Sequence, residues 1–429
     1  MNLKSNTKKA IYIINLFCLA YIVFWVVSPV VIGRDFYKLI VIITTGLWVL
    51  TSIYLSKHIL FKGRVHVVLA YLAIIYVAVA SFIGGGWSEF SRQTFLIIFL
   101  FFLLIYNYSK QKQKNNRWIF IFSLVLLGVF SLITFIHHFS FPIISRAITG
   151  NGNLDRSYYQ GIGVGGFNLI YTVVLACPVV LYYLINNNWT YPLLRAKNNN
   201  NNTIGVKEKK SIMYQIAVIL LIIILYALLI IAKFSLGLIA VLVATVIIIF
   251  NKRPKFIIIA FSAFVGLFMI VVLLIYNDIV AVPSVFSSYL NKINDIATSI
   301  TSGQAQGSVG LRLSLYKESL SMISKYPLFG TVFNPLESSG GHSFLLDVLA
   351  TFGLIPGGLI IYLTTYVPLS NIYTKKAGYS GLALATSFVL IFTNILNNLA
   401  QGIGVSLLII FAYVLRNDNT KKDIETKYN

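Results

Sequence analysis

"IYIINLFCLAYIVFWVVSPVVI", residues 11–32, carries no charged side chain from end to end. At 1.5 Å per residue, a helix of this length crosses the roughly 30 Å hydrocarbon core of a bilayer. Similar apolar runs follow at about 38–55, 65–83, 93–107, 118–136, 166–185, 212–231, 234–250, 256–276, 343–363, 380–398 and 402–415. In lipid every backbone polar group must be satisfied within its own segment or a closed barrel, so runs of this length form helices. The expected fold is an all-α polytopic membrane protein of about twelve spans, one transmembrane domain over residues 1–429.

Composition agrees. Hydrophobic residues make up 58% of the chain, charged residues only 11%, and the mean hydropathy is +0.82. A soluble domain averages about 25% charged residues, which excludes an ordinary soluble protein. The net charge of +22 raises nucleic acid as a partner, but the arrangement of the charges speaks against it. Placing the N-terminus inside puts more than two thirds of the 34 Lys and Arg in cytoplasmic segments. Their clusters are Lys4/Lys8/Lys9, Lys57/Lys62/Arg64, Lys110 to Arg117, Arg195 to Lys210, Lys252/Arg253/Lys255, Lys375/Lys376 and the tail 416–429. Every second loop is basic, the positive-inside pattern, and both termini are expected in the cytoplasm. The partners of these clusters are then anionic lipid headgroups.

The first span has a basic lead but lacks a small-x-small cleavage site, so it reads as a retained anchor. Cys18 and Cys177 both fall within apolar runs and read as small hydrophobes. Segment 186–211 is rich in Asn and Lys and reads as a mobile cytoplasmic linker. Opposite it lie a medium external loop, 137–165, and a large one, 277–342. In the large loop, Phe286, Leu290, Ile293, Ala297 and Ile300 recur at helical spacing, as on a surface-lying amphipathic helix. A second such helix, "LRLSLYKESLSMISKYP" (311–327), ends at Pro327. Its wheel puts Leu313, Tyr316, Leu320 and Ile323 on one stripe and Ser314, Lys317, Glu318, Ser321 and Lys325 opposite. Arg312 falls with the apolar stripe, and an arginine turned toward membrane or protein calls for an anionic partner.

Few ionisable groups lie on the external side. Arg146, Arg156 and Arg312 occupy the two loops long enough to build a site, and guanidinium forks suit phosphate oxygens. The alternative for each is a headgroup anchor or surface ion pair. His342 opens the tenth run after "SSGG", where a neutral imidazole can take a proton from a sugar hydroxyl or hydrogen-bond a phosphate. Its bland alternative is that His342 or Ser343 merely caps the helix. Asp347 is about 140° around a helix from His342 and is expected on a different face. The glycine run "GIGVGG" (161–166) follows no strand and is no dinucleotide fingerprint; its glycines bring backbone close either to a ligand or to a neighbouring helix. No cluster of His, Cys and carboxylates has ligand spacing, so neither a metal nor another cofactor is expected.

Arg312, Tyr316, Pro327, Gly330, His342, Leu345, Leu349, Gly353 and Gly357 together resemble the core motif of the O-antigen ligase and O-antigen polymerase superfamily. The chain has Tyr316 where the family often has Trp, Ser343 where it often has Asn, and Val332 where a second Gly is common. "AKFSLG", with Lys233 and Ser235, stands where the family often carries a Ser-Arg pair. The resemblance implies a GT-C-like, metal-independent membrane glycosyltransferase in the bacterial cytoplasmic membrane. Its substrate would be undecaprenyl-diphosphate-linked oligosaccharide on the outer face, with a chain-length regulator and a flippase as further partners. His342 and Arg312 would be catalytic, with Arg146, Arg156, Tyr316 and Lys233 binding diphosphate or glycan. A repeat-unit polymerase for capsule, exopolysaccharide or O-antigen is the first reading. A ligase passing glycan to a final acceptor is the second, and a polysaccharide flippase or secondary transporter the third. The transporter reading leans on "NILNNLAQG" (394–402), whose amides can line a path.

Overall fold

The computed structural model describes residues 2–31, 35–56, 65–94, 96–98, 100, 113–141, 144–149, 156–185, 204–250, 307–334, 337, 340–366, 369 and 380–396, with isolated positions between 255 and 270. It is 88% helical and has no strand among these residues. The first amphipathic segment of the large loop, the runs at 256–276 and 402–415, and the tail 416–429 fall wholly or largely outside them.

Among the described residues, four helices are long and apolar enough to cross a membrane: Asn6–Val27, Phe36–Leu55, Val68–Phe90 and Trp118–Ser140. They belong to α1 (Asn2–Val27), α2 (Asp35–Ser56), α3 (Val65–Arg92) and α4 (Gln113–Ser140). Shorter apolar helices follow as α7 (Phe167–Ile185), α8 (Ile204–Ile231) and α9 (Ser235–Ile249), after the short α5 (Ile144–Thr149) and α6 (Arg156–Gly161). α8 begins at Ile204, inside the segment read as a linker.

The C-terminal part contains α10 (Gly307–Lys325), α11 (Phe344–Phe352), α12 (Leu354–Ile361), a π-helical turn (Tyr362–Tyr366) and α13 (Ser380–Leu396). The run 343–363, expected as one continuous span, is two short helices. Gly353 separates α11 from α12 with φ +82° and ψ 173°, which no helix can pass through. α3 is bent in the same way by Gly85 and by Gly86, whose φ is +59°.

α7 lies at the centre, packed against α4, α8, α9 and α13. Its stretch Val173 to Val180 is buried, Cys177 included. α1 pairs with α2 and touches α4. Between α1 and α2 the buried Asn15 carboxamide donates to Thr51 Oγ1 (2.8 Å), Ser52 Oγ (2.8 Å) and the Trp48 carbonyl (3.2 Å). Lipid supplies no hydrophobic drive between helices, so polar ties of this kind help hold them together. The outward faces are apolar, with Phe17, Ile43, Leu72 and Ile223 among many large exposed side chains. Water would not tolerate such a belt, and a bilayer requires one. The chain is a helical membrane protein.

Candidate functional site

The C-terminal motif folds as a set of close backbone approaches. After α10 the chain turns at Pro327, and the segment 327–332 lies against the end of α11. Leu354 N donates to the Pro327 carbonyl (2.7 Å), Thr331 N to the Ala350 carbonyl (2.9 Å) and Val332 N to the Thr351 carbonyl (2.9 Å). Gly330 has φ +68°, and a Cβ on it would stand 2.4 Å from the Thr351 carbonyl. A Cβ on Gly353 would stand 2.1 Å from the Leu328 carbonyl. The two motif glycines therefore face each other across a single contact too tight for any side chain. Tyr76 of α3 closes it from the side, its hydroxyl donating to the Phe329 carbonyl (3.0 Å).

His342 sits at the mouth of α11. Ser343 is the N-cap: its Oγ accepts from Leu346 N (3.4 Å) and donates to the Asn394 carbonyl (3.5 Å). The capping role thus belongs to Ser343, and the half-buried imidazole of His342 makes no hydrogen bond among the described residues. The Asp347 carboxylate is buried and accepts three hydrogen bonds, from Ser319 Oγ (2.8 Å) and Gly341 N (3.1 Å) at Oδ1 and from Ser343 N (3.0 Å) at Oδ2. The expected separation of Asp347 from His342 is corrected here. The helix starts at Phe344, so the helical wheel does not extend to His342, and the loop folds back over the carboxylate.

α10 supplies the other wall. Arg312 Nη1 donates to the Leu396 carbonyl (3.4 Å), and the Tyr316 hydroxyl donates to the same oxygen (3.2 Å). This oxygen belongs to Leu396, the last described residue of α13. The inward face of α10 is Arg312, Leu315, Tyr316 and Ser319, whereas Leu313 and Leu320 are 43% and 50% exposed. Ser319, which belongs to neither expected stripe, is buried by its hydrogen bond to Asp347. Gly340 permits the approach, since its Cβ would stand 2.0 Å from the Leu315 carbonyl. Further along, Lys325 forms an ion pair with Glu337, which also accepts from the Tyr326 hydroxyl (3.0 Å).

The charges of Arg312 and Asp347 both reach the Tyr316 phenol and the His342 imidazole. Burial, then the positive charge of Arg312, push the His342 imidazole below its usual range, and Asp347 pulls weakly the other way. Burial raises the Tyr316 phenol, with Arg312 opposing. At neutral pH the site therefore presents a neutral imidazole beside a guanidinium. The N–H groups of Gly341 and Ser343 are already taken by Asp347, so the mouth of α11 is no phosphate cradle. Anion binding would fall to Arg312.

The remaining predicted residues lie elsewhere in the fold. Arg146 is on α5 and Arg156 opens α6, and their side chains lie outside the described residues. α5 packs on α4, α6 and α7. Lys233 occupies the turn between α8 and α9 with φ +55°, an uncommon conformation for a side chain with a Cβ. The glycine run 161–166 serves helix packing: Gly165 N donates to Thr134 Oγ1 of α4 (2.8 Å), and Gly163 at φ +94° lies under Phe130. Asn394, the first amide of "NILNNLAQG", is fully buried beside Ser343, and neither of its carboxamide atoms has a hydrogen-bond partner among the described residues. No protein family and no curated protein matches this chain.

Proposed function

We propose that this chain is a membrane-embedded glycosyltransferase that extends a glycan carried on undecaprenyl diphosphate, a repeat-unit polymerase of the bacterial cytoplasmic membrane. The observation that carries the reading is that the charge of Arg312 acts on His342, 30 positions further along the sequence, at the mouth of one short helix. The reaction joins an acceptor hydroxyl to the anomeric carbon of the donor sugar and releases the lipid diphosphate. His342, neutral and free of other hydrogen bonds among the described residues, takes the acceptor proton as its oxygen attacks. Arg312 compensates the negative charge that builds on the departing diphosphate. Tyr316 steadies Arg312 by sharing the Leu396 carbonyl. The buried faces around Ser319 and Asp347 keep bulk water from one side of the loop.

The transporter reading has an observation of its own. A helix broken at Gly353 next to a buried Asp347 and a buried Asn394 is the kind of element that lines an ion or substrate path. A deletion strain separates the readings. For a polymerase, lipid-linked saccharide accumulates as a single exported repeat unit, and neither Arg312→Ala nor His342→Ala restores long chains. Long glycan retained on the lipid points to a ligase. Repeat units held on the cytoplasmic face point to a flippase and overturn the catalytic assignment.

A further inference from the structure

Asp347 and Ser319 form the part of the site that the proposed chemistry leaves unused. Asp347 is 1% exposed and so is Ser319. A carboxylate buried to that degree survives only with its oxygens satisfied. Here all of its recorded donors are local to one purpose: the backbone N–H groups of Gly341 and Ser343 flank His342 on both sides, and the Ser319 hydroxyl comes from α10. Ser319 in turn accepts from Gly340 N (3.0 Å), so four consecutive residues, Gly340 to Ser343, hang on this pair. Two of them are glycines, and Gly341 has φ +83°. Left to itself, such a loop would sample many conformations. A capping box normally brings the acidic residue from the third helical position; here it comes from the fourth, reaching one residue further back.

We propose that Asp347, tied to Ser319, is the positioning residue for His342, fixing the loop that carries the imidazole and setting its orientation toward Arg312. This deepens the glycosyltransferase reading and rests on it for the catalytic part alone. Among the described residues, the charged groups that act on His342 are Arg312 from α10 and Asp347 from α11, and Tyr316 lies within reach of both of these. α13 contributes the Asn394 side chain and backbone carbonyls, none of which titrates among the described residues.

Full-length protein in lipid vesicles carries the test, with Asp347→Asn, Asp347→Glu and Ser319→Ala beside the wild type. Two readouts are taken. The first is transfer from lipid-linked repeat unit extracted from the deletion strain, resolved into kcat and KM across the acid and neutral range. The second needs no activity: the pH profile of diethyl pyrocarbonate modification at His342, read by peptide mass spectrometry. Asp347→Asn should lower kcat about a hundredfold per folded molecule, as a misplaced reacting group does, with KM little changed. It should also move the His342 modification midpoint to lower pH, because a neighbouring negative charge has gone. Asp347→Glu should restore part of both. Wild-type kcat and an unmoved midpoint in Asp347→Asn overturn the proposal, even where less protein is recovered. An inactive wild type whose midpoint still moves on Asp347→Asn would leave the positioning intact and sink the glycosyltransferase reading.

Discussion

His342 is held where burial and Arg312 both oppose its protonation. Two consequences carry opposite labels and the same sign. As a general base it must be neutral, so activity should fall only as pH drops through a value below the ordinary ~6.5 of histidine. In the window between the lowered folded value and ~6.5 the unfolded chain binds more protons, so stability rises with pH there. Kinetic and unfolding profiles check the two separately, and a kinetic acid limb above the ordinary value would contradict the geometry. Asn394 presents the converse problem, an amide buried with no hydrogen-bond partner among the described residues. Replacing it by the near-isosteric Leu should stabilise the detergent-solubilised protein by about 1 kcal/mol, read as a higher unfolding midpoint. His342, Arg312 and Tyr316 were singled out in the sequence because their types and spacing are distinctive. Asp347 and Asn394 were in view as well, one close to His342 in sequence and the other within "NILNNLAQG", but the Ser319 partner of Asp347 and the burial of Asn394 were not, since both depend on residues far along the chain.

The helices around the site are placed by glycines more than by apolar stripes. Gly330 combines a positive φ with a 2.4 Å approach to the Thr351 carbonyl. Gly330→Ala should therefore destabilise by at least about 2 kcal/mol and separate segment 327–332 from α11. Gly46 in α2 has nothing within 4 Å, so Gly46→Ala should be neutral or gain up to about 1 kcal/mol. Equal effects at the two positions would mean that the close approach is not what Gly330 provides. Helical periodicity located α10 within a few residues and correctly turned Arg312 inward. It did not bring Ser319 inward, because a hydrophobicity wheel gives that residue no reason to be buried, and the hydrogen bond to Asp347 is that reason. The break at Gly353 escaped for a related cause. The residues on both sides are apolar, and only the φ of +82° distinguishes a divided helix from a continuous span.

Lipid solubility was the most legible property of the chain, since it depends on composition and run length alone. The apolar exterior agrees with it. The number of spans was less legible: four described helices have the length to cross, and others, such as Ser235–Ile249, are shorter than the runs that suggested them. The protein should stay with the membrane pellet through an alkaline carbonate wash, and release into the supernatant would contradict the fold. The most direct measurement of all is glycan extension by the purified protein in vesicles, supplied with undecaprenyl-diphosphate-linked repeat units. We expect products longer by whole repeats from the wild type, and none from His342→Ala or Arg312→Ala preparations that unfold at the wild-type temperature. Undiminished extension by either variant would contradict the assignment of the reaction to this site.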